Sequence, residues 1–559
     1  MSNFDINSAA FNPELRMLET TDPAHADTFN ALFGQLIRND VAVMRAAGQF
    51  AGSKNAQAEF LLNMRKDGLK YGVHWDPFSA TPSPVGTRIL DNVGKVCEVS
   101  TNETRGRNDL ENTSVFYHLE VNGSVDANGD FQVEAIRGID DTFDRFTKDV
   151  WCLYNPQWIK IEITAEGENK ILSDTKFDGS FPEGGAVRLD GTIRPFVAVP
   201  KYPDTSESSG TPDSVSGKSP SYNNSHNSLI TKMRRKGTQY CATSFQDWER
   251  MNNLMDVAFA TRNSNAVMYG AYSYYLQYNA TVQEADAERI IISKAQANNL
   301  VVGSCVSIGN ATTLSGSNPN NDRGQAGIHA KANRVLITKI EEYDSENSAV
   351  YVDNGGVKFS TANTVVSGVD CPTVISTMPW WTGSCDNVLG SCGSPNNNTN
   401  GKEPYVLFGV EYAHGQYEVC GNAKMDITNG VMRAMLCYDS TKISGTKGDP
   451  NYVPVGYTVK LTDNSWKYIS VLGFDADNPM ARYGVETDAS SSTGYCDGQH
   501  TGTVTETTND QREILLGGYL AHGSIAGRRC ASLAYGLTLA PWYFAARLSA
   551  SGRCSQRAS

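Results

Sequence analysis

Residues 512–553 read REILLGGYLAHGSIAGRRCASLAYGLTLAPWYFAARLSASGR. The two ends of this stretch are regular, but its middle, residues 520–544, has neither the period of a helix nor that of a strand. Aromatic, basic and aliphatic side chains alternate there with recurring glycine and alanine. A regular scaffold that carries such arbitrary side chains is typical of a surface selected for binding rather than for packing.

The bulk composition predicts a β-rich, loop-rich protein of several domains. The chain has 559 residues, which is too long for one core, so we expect three or four domains. Its net charge of -13 disfavours binding to nucleic acid and to anionic membranes, since both require clustered Lys and Arg. No run reaches the ~18 apolar residues of a membrane span, so we expect no membrane insertion. The first residues lack the basic and apolar regions of a signal peptide, which predicts synthesis in the cytoplasm without export.

Residues 1–70 are predicted to be helical. Asp22 is a suitable N-cap and Pro23 suits the first helical turn. Apolar residues then recur on one helical face, at Phe29, Leu32, Phe33, Leu36 and Ile37. A second helix is expected at about residues 55–66. The pair forms either a packed cap or a short oligomerising stem, and the pattern favours neither.

The remainder of the chain is predicted to consist of β modules. Residues 71–201 form a β-rich domain, in which strands at 114–121 and 131–136 flank the hairpin signals Asn122-Gly123 and Asn128-Gly129. Residues 202–228 are rich in Ser, Pro, Gly, Asn and Asp and indicate a linker or an exposed loop. Helices at about 228–236 and 244–260 follow. Residues 229–559 then form a last domain with an inserted β module at about 285–370.

No catalytic, metal or cofactor motif stands out in the sequence. The twelve cysteines contain no CxxC pair, which disfavours a zinc site and favours buried free thiols. Asp126, Asn128 and Asp130 resemble a calcium loop only in part, and a hairpin turn fits them better. Glu411 and Glu418 could form a carboxylate pair for glycoside cleavage, but no second feature supports them.

The closing pattern resembles the variable proteins of diversity-generating retroelements. The motifs that carry the resemblance are Gly517-Gly518, Ala521-His522-Gly523, Ile525-Ala526-Gly527, Trp542 and Ala546-Arg547-Leu548. Residues 468–480 are similar to gut-phage members of this family, and residues 18–30 are similar to the opening of phage tail and fibre proteins. In the family, asparagine codons are rewritten to many residue types, which accounts for apolar side chains within turn-like sequence.

The resemblance implies a C-terminal C-type lectin fold, so the expected architecture is α+β and β-rich, with N-terminal helices, β modules and a lectin-like end. One departure concerns calcium: Glu403-Pro404 is followed by Tyr405 and Trp466 by Lys467, so calcium-dependent sugar binding is not supported. The implied ligand-binding positions are Ala521, His522, Ile525, Arg528, Arg529, Ser532, Leu533, Tyr535, Leu537, Leu539, Ala540, Tyr543 and Phe544. Some of them, Leu533, Leu537 and Leu539 among them, have buried core positions as the alternative.

The sequence-based hypothesis is a receptor-binding adhesin of a phage tail fibre, located in the virion and made in the host cytoplasm. Its expected partners are a bacterial surface protein or glycan, other tail proteins through the N-terminal region, and two further copies in a homotrimer. The alternatives are a polysaccharide-cleaving fibre enzyme and a purely structural fibre or decoration protein. No cofactor is expected in the leading hypothesis.

Overall fold

The computed structural model describes residues 53–311 and 323–555, and β-sheet predominates within them. The expectation of a β-rich fold is therefore confirmed. The helix predicted after Asp22, and with it most of the predicted N-terminal region, lies outside the described residues. The α-helices are Lys54–Asn63, His226–Arg234, Phe245–Phe259 and Lys294–Ala297, and the 3-10 helices are Gly184–Ala186, Ser264–Ala266, Ala326–His329, Ser440–Lys442 and Gly523–Ile525.

The described helices match the predicted ones closely where the capping residues are clear. Lys54–Asn63 begins after Ser53, whose hydroxyl accepts a hydrogen bond from the Ala56 amide. Phe245–Phe259 begins after Ser244 in the same way. None of the helices in the described ranges has the length and apolar character needed to cross a bilayer.

Two antiparallel sheets follow the first helix. The five-stranded sheet has the order Thr87–Leu90, Tyr71–Trp75, Gly167–Ser173, Trp158–Thr164 and Phe181–Pro182. The four-stranded sheet has the order Phe131–Ile136, Leu119–Val125, Val150–Tyr154 and Val197–Pro200.

The hairpin between Leu119–Val125 and Phe131–Ile136 corrects one expectation. Asn122-Gly123 is not a turn, because Asn122 is buried within the strand and its amide donates to the carbonyls of Asp144 and Asp149. The turn is made instead by residues 126–130, where the Asp126 carboxylate accepts from the Asn128 and Asp130 amides. The interpretation of Asn122-Gly123 as a turn was thus wrong, because tertiary hydrogen bonds of the Asn122 side chain outweigh the local turn preference.

The segment 202–228 is irregular but it is not an exposed linker, so that expectation is wrong. Tyr202, Asp204 and Ser214 are completely buried. The Lys232 ammonium pairs with the Asp204 carboxylate, and the Tyr202 hydroxyl donates to Asp386 at 2.6 Å. The buried polar residues of this segment therefore form a hydrogen-bond network with neighbouring elements, while residues 207–209, 217–218 and 222–223 remain exposed.

A six-stranded antiparallel sheet, which we call the β module, takes four strands from the predicted region of about 285–370 and two strands from outside it. Its order is Gln277–Asn279, Val374–Thr377, Cys305–Gly309, Ala332–Glu342, Asn347–Val352 and Arg289–Ser293. A two-stranded ribbon, Asn363–Val366 with Val369–Pro372, extends from it. Its core includes Ile290, Val306, Ile308, Ile337 and Trp380.

The C-terminal part contains the remaining sheets. A six-stranded sheet has the order Lys467–Tyr468, Gly498–His500, Ala531–Ser532, Leu515–Leu516, Tyr417–Val419 and Phe544–Ala545. A four-stranded sheet has the order Val453–Pro454, Val431–Leu436, Ala423–Thr428 and Asp510–Arg512, and a three-stranded sheet has the order Cys392–Gly393, Tyr405–Leu407 and Val410–Tyr412. Two further sheets have two strands each: Val471–Leu472 with Gly484–Glu486, and Cys241–Ala242 with Leu548–Ser549. The predicted free thiols are confirmed, since all twelve cysteines are unpaired and all but Cys97 are buried.

The helix Phe245–Phe259 is the centre of the largest core. Every residue in it except Phe259 is buried, although many of them are polar. Met251 and Leu254 pack with residues as distant as Tyr71 and Leu533, so one core joins the N-terminal sheets to the C-terminal ones. The charged residues of this helix require buried partners, and the C-terminal segment supplies several of them.

A buried carboxyl group near the start of the His226–Arg234 helix gives a pH-dependent prediction. Glu513 is fully buried, its Oε2 accepts from the His226 amide at 3.0 Å, and burial raises the pKa of its carboxyl to about 8. A carboxyl with a raised folded-state pKa stabilises the fold fully below its unfolded pKa and loses that contribution as the pH rises toward the folded value. We expect Glu513→Gln to match the natural protein near pH 4.5 and to exceed its free energy of unfolding by about 2–4 kcal/mol at pH 8.5.

Urea unfolding of both proteins across this pH range checks the Glu513 prediction. Since all other groups titrate in both proteins, the difference between the two curves isolates Glu513. A difference that does not change with pH would contradict it.

Candidate ligand-binding face

The thirteen predicted binding positions fall into two sets. Seven of them are exposed or half-buried: Ala521, His522, Ile525, Tyr535, Leu539, Ala540 and Tyr543. The other six are buried: Arg528, Arg529, Ser532, Leu533, Leu537 and Phe544. For these six the expectation of a surface position is wrong.

Arg529 is buried because it neutralises the central helix. Its guanidinium pairs with the Glu249 carboxylate and lies 2.8 Å from the Asp256 carboxylate, while its backbone amide donates to Asp497. Lys170 also contacts Asp256, at 2.6 Å. Arg529 therefore satisfies two buried carboxylates, which is a role in the fold and not in recognition.

Arg528 is held by aromatic rings and a hydrogen bond. Its guanidinium carbon lies 3.9 Å from the Trp248 ring centroid and 4.0 Å from that of Tyr412. Its Nε donates to the Asn252 side chain at 2.9 Å. Such a cation–π sandwich inside the protein leaves no part of the side chain for a ligand.

The other four buried positions lie in the sheet or pack beneath it. Ser532 and Phe544 are strand residues, and the Leu533 amide donates to the His500 carbonyl at 2.6 Å. The Leu537 carbonyl accepts from the Asn227 amide at 3.1 Å. These residues fix the path of the segment between its exposed positions.

Glycine is required at some turns of this segment but not at all of them. Gly527 has φ +156°, and a Cβ there would meet the Asp497 carboxylate at 2.0 Å. A Cβ at Gly536 would meet nothing within 4 Å, and Gly536 has no positive φ. The local backbone therefore does not require glycine at position 536.

We expect Gly527→Ala to destabilise the protein by about 2–4 kcal/mol, because the methyl group displaces the carboxylate that binds the Arg529 amide. Gly536→Ala is the matched control and should leave stability within about 0.5 kcal/mol of the natural protein. Thermal unfolding of the two variants checks this, and equal effects at both positions would contradict it.

Three of the seven exposed or half-buried positions, His522, Tyr535 and Tyr543, belong to a cluster of rings that we call the aromatic face. It consists of the half-buried side chains of Tyr275, Trp466, Tyr519, His522, Tyr535 and Tyr543. The Tyr519 and Tyr543 rings stack with centroids 4.4 Å apart and an interplanar angle of 19°. His522 lies edge-on to Tyr519 at 4.4 Å and to Trp466 at 4.9 Å.

Tyr417 supports the aromatic face from below. This residue is buried, and its ring centroid lies 5.0 Å from His522, 5.8 Å from Tyr519 and 6.3 Å from Tyr543. Its hydroxyl lies 3.2 Å from the Nε2 of His522. Because Tyr417 is itself a strand residue, the face is fixed to a sheet.

A second group of stacked residues borders the face. Trp542 stacks on Tyr275 at 6.3 Å with an interplanar angle of 14° and contacts Tyr543 edge-on at 5.3 Å. The buried Arg323 guanidinium lies 3.5 Å from the Tyr275 ring centroid. The β module thus contributes rings that continue the stack of the C-terminal segment.

The face carries no net charge near neutral pH. Burial lowers the pKa of His522 to about 3 and raises that of the Tyr543 phenol. The imidazole is therefore neutral and the phenol protonated at pH 7. A face of neutral rings with hydroxyl and imidazole groups can bind a partner by apolar contact and hydrogen bonds, with little dependence on salt.

Sequence reasoning missed three members of the aromatic face. Tyr275 lies in the tyrosine-rich stretch 269–278, a composition most often found in cores and interfaces, and Trp466 and Tyr519 lie outside the assigned positions. The adjacent Gly517-Gly518 pair was the signal closest to Tyr519. Nothing in the sequence places Tyr275 or Trp466 beside it, because their contacts with the segment arise only from tertiary folding.

The two carboxylates considered for glycoside cleavage do not form an open site. Glu411 is fully buried and accepts from the Gly383 and Cys385 amides, each at 2.8 Å. Glu418 is buried and accepts from the Arg547 Nε at 2.8 Å. Both side chains are committed to the fold. Within residues 53–311 and 323–555, no group of three or more His, Cys, Asp or Glu side chains could hold a metal ion.

Comparison with known proteins does not assign this chain to a family. A scan against protein-family models found no match, and a search of curated proteins found no significant relative. The site itself must therefore support any statement of function.

Proposed function

We propose that this protein is a receptor-binding adhesin whose aromatic face binds a molecule on a bacterial surface. The single observation that supports this most is the contact that two of the predicted positions, His522 and Tyr543, make with the half-buried ring of Tyr519. Exposed aromatic clusters are the commonest anchors of binding interfaces.

The rigidity of the face supports the same proposal. The rings of the aromatic face pack against the strand residue Tyr417. The segment that carries them is fixed by the buried ion pairs of Arg529 and Arg547. An ordered face loses less conformational entropy on binding than a flexible loop does. Exposed side chains can then differ between variants while the supporting residues stay constant.

The proposal includes the setting that the sequence resemblance implies. The protein is a phage tail-fibre component with a C-type lectin-like C-terminal domain, diversified at the exposed positions by a retroelement. It attaches to other tail proteins through its N-terminal region and acts as a homotrimer. Three copies of a moderate binding face would raise the overall avidity.

The test exchanges the exposed residues and leaves the buried ones unchanged. We would replace Ala521, His522, Ile525, Tyr535, Leu539, Ala540 and Tyr543 together with a different set, and measure binding of the fluorescently labelled protein to a panel of bacterial strains. The proposal predicts that the preferred strain changes while the thermal unfolding midpoint remains similar. An unchanged strain preference would overturn it. Absence of binding to any bacterial surface would favour a structural role, and release of oligosaccharides from capsule would favour the enzyme.

A further inference from the structure

A concave site lies between the segment 202–228 and the β module. It is a groove of about 600 Å³, within the range of about 300–1,000 Å³ typical of small-molecule sites. Its lining includes hydroxyl side chains from Thr205, Ser206, Ser208, Ser219 and Ser221, the side-chain amides of Asn223 and Asn333, and the rings of Tyr222 and Trp381. None of the positions predicted from the sequence lies in it.

Arg334 is the cationic residue in the lining of the groove. Its side chain is 9% exposed, and its guanidinium carbon lies 3.7 Å from the Tyr222 ring centroid. The side-chain oxygen of Asn333 accepts from its Nη1 at 3.0 Å. Among the described residues, no carboxylate forms an ion pair with Arg334, and the same is true of the buried Arg323 and Arg528. By contrast, Arg529 pairs with two carboxylates and Arg547 with one.

The position of Arg334 is enforced by its surroundings. Its φ is +53°, a left-handed backbone conformation that is costly for a residue other than glycine. The Ser307 hydroxyl accepts from its amide at 2.9 Å, and the Trp381 indole donates to its carbonyl at 3.0 Å. Backbone strain of this kind is concentrated at binding and catalytic sites, because the surrounding structure must hold it.

A polar group in the groove also lacks a partner. The Ser219 hydroxyl oxygen is buried and has no hydrogen-bond partner within the described part of the chain. A buried hydroxyl without a partner costs free energy. The Arg334 guanidinium has no carboxylate partner among the described residues, so its charge is available to the anionic group of a bound ligand.

We infer that this groove binds a carboxylate-bearing sugar, with the carboxylate on the Arg334 guanidinium. The planar guanidinium matches a carboxylate in a charge-assisted, two-point hydrogen bond. The Tyr222 and Trp381 rings offer apolar surfaces for the C–H face of a sugar ring, and the serine and asparagine side chains offer partners for its hydroxyls. Since the protein has a net charge of -13 and Glu207 lines the groove, the anion requires the local cation of Arg334.

The groove is separate from the aromatic face but adjoins it. The side-chain amide of Gln416 donates to the Ser221 carbonyl at 3.2 Å and to the Trp542 carbonyl at 2.9 Å. The Asn224 amide donates to the Phe544 carbonyl at 3.3 Å. The inference does not depend on the proposed function, because none of its supporting residues belongs to the aromatic face.

The test is a titration of the full-length protein with D-glucuronate, D-glucose and acetate, followed by saturation-transfer NMR. We expect glucuronate to bind at least tenfold more tightly than either of the other two. Arg334→Gln should weaken glucuronate binding at least tenfold, and Arg334→Lys should weaken it less. Arg137→Gln, which removes an exposed arginine outside the groove, is the matched control and should have no effect.

A substitution of the buried Arg334 can disturb folding. Tyr222→Ala provides a second variant, because it changes an exposed side chain instead. Tyr222 is 39% exposed, so we expect this variant to fold and still to lose most glucuronate binding. Equal binding of glucuronate and glucose would overturn the inference, as would the absence of glucuronate binding at millimolar concentration. Acetate binding as tight as that of glucuronate would overturn the assignment to a sugar. If Tyr222→Ala and a folded Arg334→Gln both bound glucuronate as tightly as the natural protein does, the assignment of the binding site to this groove would be overturned.

Discussion

Arg529→Ala should lower the free energy of unfolding by about 3–5 kcal/mol, because it leaves the buried carboxylates of Glu249 and Asp256 without their shared cation. Lys170 would still contact Asp256, but the described ion pairs give Glu249 no other cationic partner. The loss is large because the isolated charge remains in a site without water.

Urea unfolding at pH 7 measures the Arg529 effect, and Arg137→Ala serves as the control. Arg137 is a half-exposed arginine whose partner Glu120 also pairs with Lys201, so its removal should change stability little. If Arg529→Ala proved as stable as Arg137→Ala, Arg529 would not have the structural role assigned to it.

Tyr519→Ser and Tyr543→Ser should each weaken binding to the preferred bacterial surface by about 10- to 100-fold, and should change stability far less than Arg529→Ala does. The two rings stack on each other, so either change removes a binding surface and also exposes the remaining ring to water. Because the rings are half-buried, each variant loses only part of a packed contact in the free protein.

Titration of the labelled protein against cells of the strain identified by the panel measures these affinities. Tyr343→Ser is the matched control, since Tyr343 is a 40% exposed tyrosine in the β module outside the aromatic face. Equal loss of binding in all three variants would show that tyrosine removal acts through the fold. No loss in Tyr519→Ser and Tyr543→Ser would place the binding site elsewhere.

The local elements were predictable where local signals agree with tertiary structure. Ser244 marks the start of the central helix, and the alternation in 158–164 marks a strand that the structure contains. Asn122 was misread because its side chain caps backbone groups from a loop about 20 residues away. The same difficulty applies to the segment 202–228, where polar residues satisfy one another inside the protein.

The candidate site was predictable only in part, and its arginines show why. Arg529 and its partner Glu249 are separated by 280 residues in sequence, so no local pattern reveals that the pair is buried. In a segment without regular period, a binding residue and a buried cation have the same sequence signature. His522, Tyr535 and Tyr543 are half-buried, so a partly exposed position agrees with the sequence-based assignment for these three residues.

Residues 520–544 consist of exposed or half-buried positions, where we propose binding, and of buried positions that support them. Under this proposal, variation at the first set must leave the second unchanged, because Arg528, Arg529, Leu533 and Phe544 join the segment to the central helix and the sheet. The sequence alone presented all of these as one variable surface. In the structure, seven of the thirteen predicted positions are exposed or half-buried.

A deep mutational scan of residues 520–544, read out by surface display of folded protein, tests this separation most directly. The account predicts that nearly every substitution at Arg528, Arg529, Leu533 and Phe544 lowers the display level. It also predicts that most substitutions at Ala521, His522, Ile525, Leu539 and Tyr543 leave display unchanged. Equal intolerance at both groups of positions would contradict the claim that the exposed set is free to vary on a fixed frame.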